Sequence, residues 1–218
     1  MMEQIEEQKI VEQPINRWLI WCARLVSVIF NPFLVPLLAF CLLFFCTYLK
    51  IIPFLARIQV LSLVVCFTIT IPFLAIYILQ MVKGWTFKDF GKREYRPFLY
   101  FLTILSYVTC LITMYRLRLP RYMTGIIMAS LLCMILCTLI NYKWKISVHV
   151  ASGGLMVGGL ISYGVLFSFN PIYWLGWFIL LSGVLGTARM ILCRHTLLEV
   201  LIGFLVGLFC GVIGILFI

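Results

Sequence analysis

Acidic side chains are scarce in this chain, at seven Asp plus Glu against 17 Lys plus Arg in 218 residues, and charged residues of both signs make up only 11%. Ordinary globular domains carry about 25% charged residues, so the shortage excludes a water-soluble monomer. The 64% hydrophobic content excludes a disordered chain. The net charge of +10 does not make a nucleic-acid surface. Its basic residues fall in short clusters between charge-free runs, and a phosphate-tracking face has to be continuous. Segments of about ten residues with alternating hydrophobicity are missing, which excludes an outer-membrane barrel. The nine cysteines include no CxxC pair of the kind used for zinc or redox chemistry, and they read as small buried hydrophobes.

What the chain does have is long apolar runs. Charge-free stretches cover 25–49, 58–82, 97–115, 122–142, 146–188 and 200–218. A hydrocarbon core about 30 Å thick takes about 20 residues of helix, so five stretches supply one span each. The stretch 146–188 is too long for one span and is broken at Phe169-Asn170-Pro171, because the residue before a proline is pushed out of helical geometry. The expected fold class is all-α, a polytopic membrane helical bundle of about six to seven transmembrane helices. Residues 1–24, with four Glu, three Lys or Arg, and Trp18 and Trp21, are expected to form an amphipathic interfacial segment. They lack the basic start and immediate apolar run of a cleavable leader. Residues 25–218 form a single transmembrane domain, with Pro32 and Pro36 bending the chain in its first span. With seven spans, twelve of the 17 Lys and Arg fall on the N-terminal side, a count that favours a cytosolic N-terminus but that basic residues kept for a site would bias the same way.

Ionisable residues near membrane depth are costly and point to function. Both histidines, His149 and His195, and the one acid after Glu94, Glu199, fall in loops on the N-terminal side, at the starts of the fifth and seventh spans. On a helix, His195 and Glu199 stand at i and i+4, where a carboxylate can fix the ring's tautomer and leave the other nitrogen free to attack. Arg189 can offer a planar fork to phosphate oxygens. Ser147 stands at a helix N-cap position, where its hydroxyl and nearby N–H groups can cradle an anion, and His149 can donate a proton to a leaving group. In the loop before the third span, Arg96 precedes Pro97, and Lys92 and Lys88 lie within reach of the same end, among basic residues that also suit lipid headgroups.

This arrangement resembles the type 2 phosphatidic acid phosphatase superfamily, whose signature runs lysine, six residues, Arg-Pro; then Pro-Ser-Gly-His; then Ser-Arg, five residues, His, three residues, Asp. The third motif is matched by Arg189, five residues, His195, three residues, Glu199, with Ala188 in the serine position and Glu for Asp. The second is matched by Ile146-Ser147-Val148-His149, which lacks the proline and glycine. The first keeps Arg96-Pro97, but Asp89 stands where the lysine belongs, with Lys88 and Lys92 on either side. The resemblance implies a metal-independent, cofactor-free lipid phosphatase acting on a phosphate monoester or pyrophosphate. His195 would be the nucleophile, Glu199 its orienting carboxylate and His149 the proton donor. Arg189, Arg96, Ser147 and Lys92 or Lys88 would hold the phosphate oxygens. A bilayer partner and no nucleic acid follow from the composition, a tail admitted between spans suits a lipid substrate, and the compactness of the chain points to a bacterial cytoplasmic membrane location. Three other readings compete: a relative that binds lipid phosphate with little or no catalysis, a bis-histidine haem protein, and a transporter or scaffold. The stripes Gly153, Gly154, Gly158, Gly159 and Gly203, Gly207, Gly211, Gly214 serve close helix packing under all of them.

Overall fold

The computed structural model describes residues 17–29, 31–46, 52–83 and 96–216. Among these residues every regular element is helical. We number the helices α1 (Arg17–Ile29), α2 (Val35–Cys46), α3 (Phe54–Val65, continued through a π-helical turn at Cys66–Thr70 into Ile71–Lys83), α4 (Arg96–Arg116), α5 (Arg121–Lys143), α6 (Val148–Phe167), α7 (Ile172–Ile191) and α8 (Leu197–Leu216). Helices α3 to α8 are each long and apolar enough to cross a bilayer, which makes this an all-α multi-pass membrane protein with six such helices among the described residues. Bulky apolar side chains such as Phe101, Leu139, Trp177 and Phe209 point outward, where lipid replaces water as their solvent.

The first charge-free stretch departs from the expectation of one span. Its described residues are divided between the end of α1 and α2, which over their described lengths run about 20 and 18 Å at 1.5 Å per residue. The break lies at Asn31-Pro32-Phe33-Leu34, where Asn31 Oδ1 accepts from the Phe33 N–H and the Asn31 carbonyl from the Leu34 N–H. Pro36 is the second residue of α2, a position at which its missing N–H costs nothing. The expected interfacial boundary at residue 24 falls inside α1. The break at Phe169-Asn170-Pro171 is where it was expected: α6 ends in a left-handed Ser168, and α7 begins after Pro171.

The core of the bundle is α6, buried along most of its length between α5, α7 and α8. Helices α6 and α8 run parallel and almost touch. A Cβ added to Gly207 would lie 1.8 Å from the Ala151 carbonyl oxygen, and one added to Gly154 would lie 2.0 Å from that of Phe204. Glycine at these positions lets two backbones approach in a way no side chain permits. The same contact sets the axial register, placing Ser147 beside Glu199 and Gly203: the Ser147 N–H donates to the Glu199 carbonyl at 3.4 Å. In α3 the π-helical turn is met by Ser106 of α4, whose hydroxyl donates to the Phe67 carbonyl. Pro72, just after this turn, has no N–H to donate to the Thr68 carbonyl, which breaks the α-helical ladder at this point.

Candidate functional site at the aligned ends of α6, α7 and α8

Parallel packing of α6 and α8 brings both N-terminal ends to one side of the bundle, and the intervening antiparallel α7 returns its C-terminal end to the same place. Ser147 and His149 open α6, Arg189 lies in the last turn of α7, and His195 and Glu199 flank the start of α8. The chain turns from α7 toward α8 through Cys193, which holds a left-handed backbone at φ 50°.

His195 is not itself in α8. It sits just before Thr196, and the helix starts at Leu197. Thr196 and Glu199 form a capping box: the Glu199 N–H points to Thr196 Oγ1 and the Thr196 N–H to Glu199 Oε2, each at 3.4 Å. Glu199 Oε2 also lies 2.7 Å from His195 Nδ1. An ionised carboxylate only accepts, so Nδ1 carries the hydrogen and the neutral ring presents Nε2 as its unprotonated nitrogen. The i, i+4 contact expected from the sequence is therefore made, but by a glutamate in the first turn reaching back to a histidine outside the helix. The Thr-Leu-Leu-Glu pattern is the local signal for this cap.

Burial lowers the His195 pKa, and the positive charges of Arg189 and Lys145 act in the same direction. The Glu199 hydrogen bond pulls it back up, and the net result lies below the ordinary value. The ring is thus neutral at neutral pH. His149, half-buried in the first turn of α6, lies within electrostatic reach of both Arg189 and His195. Its carbonyl accepts from the Ser152 hydroxyl at 2.6 Å.

Ser147 occupies the N-cap position of α6, as expected, but its hydroxyl makes no capping bond. The side chain is fully buried, and its Oγ has no hydrogen-bond partner within the protein. A buried hydroxyl without a partner costs about 1–3 kcal/mol unless something else supplies the bond.

Arg189 is held from an unexpected direction: its Nη1 donates to Ser27 Oγ of α1 at 2.8 Å. Ala23 and Ser27, one turn apart, form the buried face of α1 against α7, while Trp18, Trp21 and Leu25 face outward. Sequence reasoning had no means of finding Ser27, which lies 162 residues from its partner. Lys145 was also passed over as a site residue. Its Nζ donates to the Arg194 carbonyl at 2.5 Å, tying the loop before α6 to the loop before α8.

Of the remaining expected residues, Arg96 is the first residue of α4, and Lys88 and Lys92 lie outside the described residues. Among the described residues, no group of three or more His, Cys, Asp or Glu side chains is placed to hold a metal ion. The site therefore unites Ser147, His149, Arg189, His195 and Glu199, with Lys145 and Ser27 added by the fold. It offers a nucleophilic nitrogen, an orienting carboxylate, a second imidazole and several donors for anionic oxygens. Comparison of the chain with protein-family models, curated proteins and solved structures finds no match.

Proposed function

We propose that the protein is a metal-independent lipid phosphatase of the bacterial cytoplasmic membrane that works through a phosphohistidine. The observation that carries this reading is the His195–Glu199 pair, 2.7 Å apart through Nδ1, which leaves Nε2 as the ring nitrogen away from the carboxylate, with Arg189 and Lys145 close enough to bias the ring toward its neutral form. Nε2 of His195 attacks phosphorus, the bond from phosphorus to the ester or anhydride oxygen breaks, and His149 relays the proton of the bound phosphate's own hydroxyl to the departing oxygen. The phosphorylated ring is cationic, and Glu199 stabilises it through Nδ1. Water then attacks phosphorus with His149 taking its proton, the P–N bond breaks, and inorganic phosphate leaves. The Arg189 fork and the unpartnered Ser147 hydroxyl hold the non-bridging oxygens as charge builds on them; removing a preorganised donor of this kind typically costs about 10²–10³-fold in rate.

A second reading, a lipid-phosphate binder without turnover, has one observation in its favour: Glu199 already has a structural role in the α8 capping box. The two are separated by phosphate release from detergent-purified protein, without added metal, on phosphatidate, phosphatidylglycerol phosphate and undecaprenyl pyrophosphate. Vanadate-sensitive release that disappears in His195→Ala supports the phosphatase. Saturable vanadate binding with no release from any of the three supports the binder. A Soret-absorbing preparation would instead favour haem ligation by the two histidines.

A further inference from the structure

Helix α1 is held to the bundle chiefly by α7, through the buried face that carries Ala23 and Ser27. The rest of the helix faces outward. Arg17, Trp21 and Arg24 stand at i, i+4 and i+7, which puts them on one stripe, and Trp18, Cys22 and Leu25 line the stripe beside it. All six are exposed, and α1 contains no acid. Glu199, largely buried against His195, is the one acid among the described residues, whereas Lys143, Lys145 and Arg194 are exposed at the same end of the bundle. Among the described residues the end that carries the candidate site is therefore basic without an exposed carboxylate to offset it.

Tryptophan rings suit the zone between headgroups and tails, and a basic amphipathic helix lies in that zone where the leaflet is anionic. Here the same helix also holds a site residue, because Ser27 Oγ accepts from Arg189 Nη1 at 2.8 Å. Whatever fixes the depth and tilt of α1 thus fixes one end of the Arg189 fork. We propose that the outer face of α1 docks on anionic headgroups of the surrounding leaflet, lipids that are not the substrate, and that this docking steadies Arg189 through Ser27. The effect on turnover rests on the phosphatase reading above; the docking does not. Charge complementarity selects the partner. Two guanidinium groups flanking a tryptophan, with no carboxylate in the helix, match an anionic leaflet, and a zwitterionic one offers them no net attraction. Each basic residue near an anionic surface shifts an equilibrium by about fivefold, so Arg17 and Arg24 together favour the docked helix by about 25-fold. Ser27 is a positioning residue, since it acts through Arg189.

The test places the full chain in nanodiscs of phosphatidylcholine, alone or mixed with phosphatidylglycerol, and follows phosphate release from short-tailed, water-soluble dibutyryl phosphatidate. An anionic leaflet repels this anionic substrate, so surface charge by itself raises KM. The expected result is the reverse: KM a few-fold lower in the anionic bilayer, with kcat unchanged. The double variant Arg17→Gln, Arg24→Gln and, separately, Ser27→Ala should keep the higher KM in both bilayers, and Ser27→Thr should restore the difference. Arg116→Gln with Arg118→Gln, both exposed at the opposite end of the bundle, should respond as wild type does. Alkylation of Cys22 by a water-soluble maleimide, read by peptide mass, reports docking without turnover. It should be several-fold slower in the anionic bilayer for wild type and equal in the two bilayers for the Arg17→Gln, Arg24→Gln variant. An active wild type with equal KM in both bilayers, a response that survives in the Arg17→Gln, Arg24→Gln variant or in Ser27→Ala, or a response lost in the Arg116→Gln, Arg118→Gln variant overturns the proposal and leaves the phosphatase reading standing. Wild type that releases no phosphate in either bilayer overturns the phosphatase reading, and equal alkylation of Cys22 in both overturns the docking.

Discussion

Replacing Glu199 with glutamine separates the structural role of this side chain from its chemical one. Glutamine at the third helical position serves a capping box as glutamate does, so the start of α8 and the place of His195 are kept while the negative charge is lost. In the ground state the imidazole is neutral, and the 2.7 Å contact is a hydrogen bond that an amide oxygen can also accept. As phosphorus bonds to Nε2 the ring becomes cationic, and only then does the full carboxylate charge matter, which is the condition for an effect on turnover. Opposite unit charges about 4 Å apart at an effective dielectric constant of about 20 attract by about 4 kcal/mol. The side chains are 7% and 12% exposed, and bond formation is partial in the transition state, so about half of that is realised; about 2 kcal/mol is roughly 30-fold in rate. Glu199→Gln is therefore expected to lower kcat by about 30-fold with KM little changed, alongside less acid-labile phosphohistidine in rapid-quench single turnovers. Initial rates of phosphate release and quenched labelling from radiolabelled substrate measure both. An active wild type whose Glu199→Gln variant keeps its kcat, or loses only in KM, refutes the orienting role.

Four other outcomes are expected. Ser147→Ala removes a buried hydroxyl with no protein partner, so thermal stability in detergent should hold or rise while phosphate release falls by about 10²-fold; a fall in both would make the serine structural. Ser27→Ala frees one Arg189 Nη from its anchor on α1 and should raise KM by a few-fold, with Ser27→Thr restoring it; unchanged KM in Ser27→Ala would dismiss the anchor. Because His195 has to be neutral to attack and its pKa is lowered, the rate should fall on acidification only below its ordinary pKa of about 6.5, and Lys145→Met, which removes one lowering charge, should move that acid limb upward. Gly207→Leu drives a side chain into the Ala151 carbonyl and should cost more than the usual roughly 1–3 kcal/mol of overpacking, seen as loss of monodisperse protein in size-exclusion chromatography.

Much of the bundle was legible from run lengths, because in lipid each backbone polar group has to be satisfied within its own helix, and length then becomes a structural rule. That rule located α3 to α8 and the break after Phe167. At residues 25–49 it expected one span bent at Pro32 and Pro36, and the described residues there are instead divided into two helices at Asn31–Leu34. The His195–Glu199 contact was legible for an equally local reason, since four residues of chain fix how far a side chain can reach. Its detail was not, as the histidine lies outside the helix and the glutamate closes a capping box.

No local rule reaches from Ser147 to Glu199, or from Ser27 to Arg189. Those meetings follow from the parallel contact of α6 and α8, set by glycines whose missing side chains let two backbones touch, and from the buried face of α1 against α7. Spacing along the chain specifies which groups one helix end can present. Which ends share a site depends on how helices separated by tens of residues pack, and that is a property of surfaces in three dimensions.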